Sequence, residues 1–246
     1  FKMAAAGVDF GHTSIVIAAC KDGRPEIVTT DTGEWVTPAI VAFTDKEQMI
    51  GTAAKLGLIR NSANTISNIK AVVGNSLSDE NFYEIAKRSP AKIIRKSSNI
   101  FYEISQNGKQ ILVPPSDIIL GMYKNILKSV QAYHGSDASH VVLTVPLHFG
   151  DKEKADMRNA AEKAGFRVLR MIHEPSAAAL AYGIGQDNPC SNSFVLVYHL
   201  GGKSLNSTLI SVNSGIYGII DSIYDDSIGG ENFDEVLVQH LAAEFK

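Results

Sequence analysis

The sequence predicts an α/β protein of two related lobes, and three observations carry that prediction. Between residues 140 and 182, strand-like and helix-like stretches alternate as "HVVLTVPL", "DKEKADMRNAAEKAG", "RVLRMIHEP" and "SAAALAYGI". Such alternation argues for a mostly parallel sheet covered by helices. "GVDFGHTS" (7–14) and "VYHLGGKS" (197–204) are the same device, a strand running into a glycine turn with a hydroxyl residue, then a second strand. The two copies stand about 190 residues apart and suggest lobes that each point one strand-turn at a shared cleft. The 246 residues are 45% apolar and 20% charged, which suits a globular chain with a sizeable core.

Taken in order, residues 4–10, 14–20 and 25–30 read as short strands, with "KDGR" turning between the second and third. "WVTPAIVAF" (35–43) is a further extended run in which Pro38 marks an edge or crossing position. From about 51 to 90 the pattern turns helical and polar, in "AAKLGLIRNS" and "NTISNIKAVVG". Three strand-like runs follow near 92–95, 100–104 and 109–113, so the block of roughly 38–114 reads as an inserted subdomain. Pro114 and Pro115 punctuate, and Ser116 is placed to cap a long helix, "DIILGMYKNILKSVQAYHG". Its residues Ile118, Ile119, Met122, Tyr123, Ile126, Leu127 and Val130 form one apolar stripe, which is core packing. Beyond the alternating segment, "GGENFDEVLVQHLAAEFK" carries Phe233, Val236, Leu237, His240 and Leu241 at helical spacing. It stops at Lys246 without a C-cap signal, the pattern of a C-terminally truncated chain with an incomplete second lobe.

Composition excludes several classes. The net charge is -3 with both signs interspersed, and no basic stripe offers itself to nucleic acid. Cys20 and Cys190 are too few for a disulfide framework and lack metal-ligand spacing, so reduced cytosolic thiols are expected. The run "FKMAAAGVDFG" is broken at Asp9, too early for a signal peptide, and Phe1 and Lys2 precede Met3, a natural start. No segment approaches the roughly 20 apolar residues of a membrane-spanning helix.

The first turn holds what a phosphate-and-metal site needs. Gly11 allows backbone N–H groups to approach an anion, Thr13 adds a hydroxyl, and Asp9 can reach Mg²⁺ through its water shell. Taken alone, Lys70 and Glu174 read as surface charges and Thr144 as a strand hydroxyl.

"GVDFGHTS", "NTISNIKAVVG", "VVLTVP", "AGFRVLRMIHEPSAAALAYG", "VLVYHLGGKS" and "IGGENFDE" occur in this order. Together they resemble the nucleotide-binding domain of the 70-kDa heat-shock chaperone family, from Met3 to the end. The resemblance implies an actin-like ATPase fold with ribonuclease H-like duplicated lobes. Residues 3–188 would form the first lobe, with its base at 4–38 and 115–188 and its upper subdomain at 39–114; residues 189–246 would begin the second. It implies ATP or ADP with Mg²⁺ as the ligand. Asp9 would help hold hydrated Mg²⁺, and Gly11, His12 and Thr13 would form the first phosphate loop, His12 replacing a usual threonine. Lys70 would orient the attacking water and stabilise the γ-phosphate, with Thr144 and Glu174 supporting the water and metal network. Gly201, Gly202, Lys203 and Ser204 would form a second phosphate loop, and Gly229 and Gly230 a third.

The second loop departs from the family's D-L-G-G-G-[ST]-x-D, reading His199-Leu200-Gly201-Gly202-Lys203-Ser204-Leu205-Asn206. Mg²⁺ prefers oxygen ligands, so His199 is a poor replacement for the aspartate. Lys203 puts a cation where bare glycine would meet phosphate, which would weaken the dependence on metal, and Asn206 deletes a second carboxylate. Losses of this kind cost about 10²-fold or more in rate. The pattern resembles an atypical cytosolic branch of the family in which ATP is bound and hydrolysis is weak or dispensable. That branch implies a J-domain co-chaperone, the ribosome and nascent polypeptides as partners, with roles in protein folding, binding of unfolded chains and the stress response. A conventional hydrolysing chaperone domain and an inactive truncated copy are the alternatives. A sugar or acetate kinase of the same superfamily would need an acceptor-activating carboxylate, and no evident second acid stands near the turns.

Overall fold

The computed structural model describes residues 5–21, 23–30, 33–75, 77–135, 137–185 and 192–245. Cys190, Asp22 of the "KDGR" turn and the expected lobe boundary at 188/189 lie outside the described residues. The chain divides into two compact units. The first takes residues 1–145 and 149–171, the second residues 146–148 and 172–246.

In the first unit, strands β1 (Ala5–Phe10), β2 (Ser14–Lys21), β3 (Arg24–Ile27) and β4 (Thr37–Pro38) begin the main sheet. Strands β5 (Val41–Phe43), β6 (Gln48–Ile50) and β7 (Thr65–Ile66) form a second sheet, with helix α1 (Thr52–Gly57) between β6 and β7. Helix α2 (Asp79–Arg88) leads into a meander of β8 (Lys92–Lys96), β9 (Asn99–Gln106) and β10 (Lys109–Val113). Helix α3 (Pro115–His134), strand β11 (His140–Val145), helix α4 (Asp151–Lys163) and strand β12 (Arg167–His173) complete the run.

The main sheet has the order β12-β11-β1-β2-β3, with β4 paired to β2. It is mixed rather than mostly parallel. β1 and β11 are parallel, whereas β1–β2, β2–β3 and β2–β4 are antiparallel. Turns as short as the one after Phe10 can join only antiparallel neighbours, whereas a parallel partner needs a long crossover. Pro38 sits where the expectation put it, at the crossing from the main sheet to the second one.

Two further expectations need correction. The long helix begins at Pro115, and its N-cap is Pro114 with no side-chain cap, so Ser116 lies inside the helix. Proline is pre-set for the first helical turn and has no N–H to leave unsatisfied there, which removes the need for a hydroxyl cap. Residues 61–75 are not an α-helix but the short strand β7 and 3-10 turns over Ile69–Asn75, interrupted at Val73 and Gly74. Thr65, Ile66, Val72 and Val73 are β-branched, and Asn68 and Gly74 take left-handed backbone, so the helical ladder cannot propagate.

The apolar stripe of α3 packs as predicted. Ile118, Ile119, Met122, Tyr123, Ile126 and Val130 are buried and Leu127 half-buried, against Met157, Ala160 and Ala161 of α4 and the sheet residues Val8 and Phe10. Tyr123 lies 5.6 Å from Phe10 and 6.4 Å from Phe166, centroid to centroid, and its burial drives the hydroxyl's pKa upward. The first turn of α4 is closed by Glu153, whose carboxylate accepts from the Gly150 N–H at 3.0 Å.

The second unit contains helix α5 (Glu174–Ala181), the antiparallel sheet β13 (Asn192–Leu200), β14 (Leu205–Asn213) and β15 (Ile216–Asp225), and helix α6 (Gly230–Glu244). Among the described residues its core is small: Ala179, Ile210 and Val212, with Ile184, Val195, Val197 and Tyr217 packed around them. No described helix is long and apolar enough to cross a membrane.

Candidate functional site

Among the described residues, hairpins turn in two ways. The β8–β9, β9–β10 and β14–β15 turns use residue pairs Ser97-Ser98, Asn107-Gly108 and Ser214-Gly215, all with positive φ. That is the mirror-image turn whose twist matches the flanking strands. Residues 11–14 and 201–204 turn without any left-handed residue. Instead the Gly11 N–H donates to Ser14 O at 2.8 Å, and the Gly201 N–H donates to Ser204 O at 2.8 Å. Close approach favours glycine at both positions, more strongly at the first. A Cβ on Gly11 would stand 2.7 Å from Ser14 O, and one on Gly201 would stand 3.3 Å from Ser204 O.

The two turns are copies down to their register. Asp9 pairs with Val16 and Phe10 with Ile15; His199 pairs with Asn206 and Leu200 with Leu205, each position 190 residues on. Thr13 therefore corresponds to Lys203, and Asp9 to His199. With the first amide of each turn spent on closure, residues 12–13 and 202–203 occupy the tips, where backbone N–H groups can form an anion-binding concavity.

In the first unit, Asp9 at the end of β1 accepts a hydrogen bond from Thr144 Oγ1 on the parallel neighbour β11. The Ala39 N–H donates to Thr13 O at 2.9 Å, tying the turn to the chain beyond β4. Lys70 is not the surface charge its local sequence suggests. It is 3% exposed, with Nζ 5.8 Å from the centroid of the Phe149 ring. Lysine is seldom so enclosed, and an enclosed ionisable group is a functional-site candidate.

In the second unit, the N-terminus of α6 is stitched to the second turn. Gly230 N–H donates to Gly201 O at 2.9 Å and Glu231 N–H to Gly202 O at 2.8 Å. A Cβ on Gly229 would lie 2.5 Å from Lys203 C and 2.7 Å from Gly202 O, so only glycine lets the two segments touch. Lys203 Nζ lies 3.3 Å from Glu231 Oε2, with the lysine side chain 15% and the glutamate 39% exposed. Asn206 is buried, and its Oδ1 accepts from Thr208 Oγ1 at 2.7 Å and Ser222 Oγ at 3.2 Å. His199 is exposed. Glu174 opens α5, where its charge complements the helix N-terminus.

Sequence reasoning missed Tyr224. Its ring stacks on His148 with centroids 4.0 Å apart. Burial raises its pKa; a side-chain hydrogen bond with Ser204 opposes the shift, and the Asp226, Glu174 and Asp225 charges add to it. Nothing local flags Tyr224, because His148, Ser204 and Glu174 come from distant parts of the chain. Glu231 could have been found, since an acid directly after a glycine pair that starts a helix is a first-turn signal.

A family model described as Hsp70 protein matches residues 5–246. The chain belongs to the Hsp70 family. Its architecture is the actin-like ATPase fold of the Hsp70 nucleotide-binding domain. Similar curated proteins include heat shock 70 kDa protein 14 of Danio rerio, 46% identical over 244 residues, and of Homo sapiens, 45% identical over 244 residues. Heat shock 70 kDa protein 14-B of Xenopus laevis is 46% identical over the same length. Each match covers 99% of this chain and 48% of the relative, so the chain spans about half the length of the curated relatives it matches. Hsp70 membership carries with it nucleotide binding by a chaperone-type domain, typically with Mg²⁺. The residues present fit that ligand. Among the described residues no three His, Cys, Asp or Glu side chains converge as a metal cage. Magnesium in nucleotide sites needs only one or two carboxylates beside phosphate and water, and Asp9, already oriented by Thr144, is such a carboxylate.

Proposed function

We propose that this chain is an ATP-binding chaperone subunit whose own hydrolysis is weak, acting in the cytosol on newly made polypeptides at the ribosome with a J-domain partner. The observation that carries the weak-hydrolysis reading is the copied register of the two glycine hairpins, in which Asp9 of the first is answered by exposed His199 in the second. The names of the relatives reported above, heat shock 70 kDa protein 14 and 14-B, support the chaperone reading.

Bound Mg²⁺ would neutralise charge on the phosphates, and Asp9 is the residue to hold it through water. Gly11, His12 and Thr13 of one turn, and Gly201, Gly202, Lys203 and Ser204 of the other, bind phosphate through their tips. Gly229 and Gly230 support the second turn from behind. Lys70, enclosed and cationic, is the group to orient a lytic water, with Thr144 holding Asp9 and Glu174 acting on the water network. His199 offers no carboxylate, and Asn206 is engaged by Thr208 and Ser222. Hydrolysis then lacks two of its electrostatic aids, a loss of about 10²-fold or more. A single-turnover assay with Mg-ATP tests this: binding with negligible phosphate release is expected, and turnover like that of an ordinary Hsp70 overturns it. Association with ribosomes and a J-domain protein is checked by co-sedimentation of the tagged full-length protein, whose absence from the ribosomal fraction contradicts the partner assignment.

A further inference from the structure

The Lys203–Glu231 contact has no counterpart in the first hairpin. Where the first turn carries the small neutral Thr13, the second carries an ammonium, and that ammonium is held 3.3 Å from a carboxylate on the first turn of α6. Both partners sit on backbone that is itself fixed, by the Gly230 and Glu231 amides donating to Gly201 and Gly202 and by the close approach at Gly229. The two ends of the pair differ in their access to water. Lys203 is enclosed at 15% exposure, whereas Glu231 at 39% already meets solvent. Removing a partner from an enclosed lysine is costly unless another anion replaces it. Polyphosphate at the tip of the same turn is such an anion, and its charge exceeds that of one carboxylate.

Resting on the nucleotide-binding reading above, we propose that Lys203 is an exchangeable cation of the second phosphate loop. Without nucleotide it is neutralised by Glu231; with nucleotide it transfers to the phosphates, and Glu231 is released to solvent. The transfer brings one fixed positive charge to the polyphosphate and does part of what a divalent ion otherwise does, so binding depends less on Mg²⁺. Glu231 sets the threshold, because any anion on the loop must outcompete it.

Calorimetry with ATP, once in Mg²⁺ and once in EDTA, separates the possibilities. The unaltered protein is expected to bind ATP in EDTA within about tenfold of its affinity in Mg²⁺. Lys203→Met, which keeps the buried stem, loses about tenfold or more in EDTA and much less in Mg²⁺; Lys203→Arg restores binding in EDTA. Glu231→Gln binds several-fold tighter in both buffers, an effect of opposite sign that a misfolded variant cannot mimic. Lys203→Met matching the unaltered protein in EDTA, or Glu231→Gln binding no tighter, overturns the exchange while leaving nucleotide binding in place. Absence of ATP binding by the unaltered protein even in Mg²⁺ overturns the nucleotide reading and the exchange together.

Discussion

The hairpins β1–β2 and β13–β14 share a register and a turn closure but not an environment. On β1, Ala6, Val8 and Phe10 are buried under the α3 and α4 core; their counterparts Leu196, Tyr198 and Leu200 on β13 are 65%, 64% and 42% exposed. On the opposite face, across from His199 and Val197, β14 replaces apolar with polar: buried Asn206 and Thr208 stand where β2 has Val16 and Ala18. The backbone device has therefore been kept while its side chains diverged on every surface. Hydrogen bonds between main-chain groups do not depend on residue type, provided glycine stands where backbones crowd. Catalytic electrostatics depend on residue type entirely.

The largest difference between the hairpins should appear in truncation. Phe10→Ala empties a fully buried site and is expected to cost about 3–5 kcal/mol, against less than about 1 kcal/mol for Leu200→Ala. Urea denaturation of the two variants measures this, and equal costs would break the comparison. Next comes the crowding at the turns. Gly11→Ala drives a methyl to 2.7 Å from a backbone oxygen, Gly201→Ala only to 3.3 Å. The first is expected to destabilise by about 1–3 kcal/mol and the second by clearly less, read from thermal midpoints. Smaller still is the polar trio. Thr208→Val removes one of the two hydroxyls donating to Asn206 Oδ1 and is expected to cost about 1–2 kcal/mol. The same hydroxyl loss has no equivalent in the first hairpin, where Ala18 occupies that place.

Much of this was legible in the sequence because it is written in local rules. Strands bounded by turn residues, the α3 stripe and the repeat of "GVDFGHTS" in "VYHLGGKS" all came through, since periodicity and glycine punctuation act over a few residues. The interrupted turn at 69–75 did not, because Asn68 and Gly74 break a helix only through backbone angles the composition does not announce. The burial of Lys70 over Phe149 escaped for another reason: the two residues meet only when α4 folds back toward the turn carrying the lysine. Candidate-site chemistry divides the same way. Asp9, Thr13 and the glycines were visible as a motif. The Lys203–Glu231 pair and the Tyr224–His148 stack are products of tertiary contact.

The central claim is that the second hairpin keeps the shape of a phosphate loop and lacks the carboxylate that hydrolysis needs. Measuring ATP binding and phosphate release side by side, on the unaltered protein and on His199→Asp, tests it most directly. The account predicts saturable binding by both, with release near background in the first and raised about tenfold or more in the second. Equal release from the two proteins, or no binding by either, contradicts it.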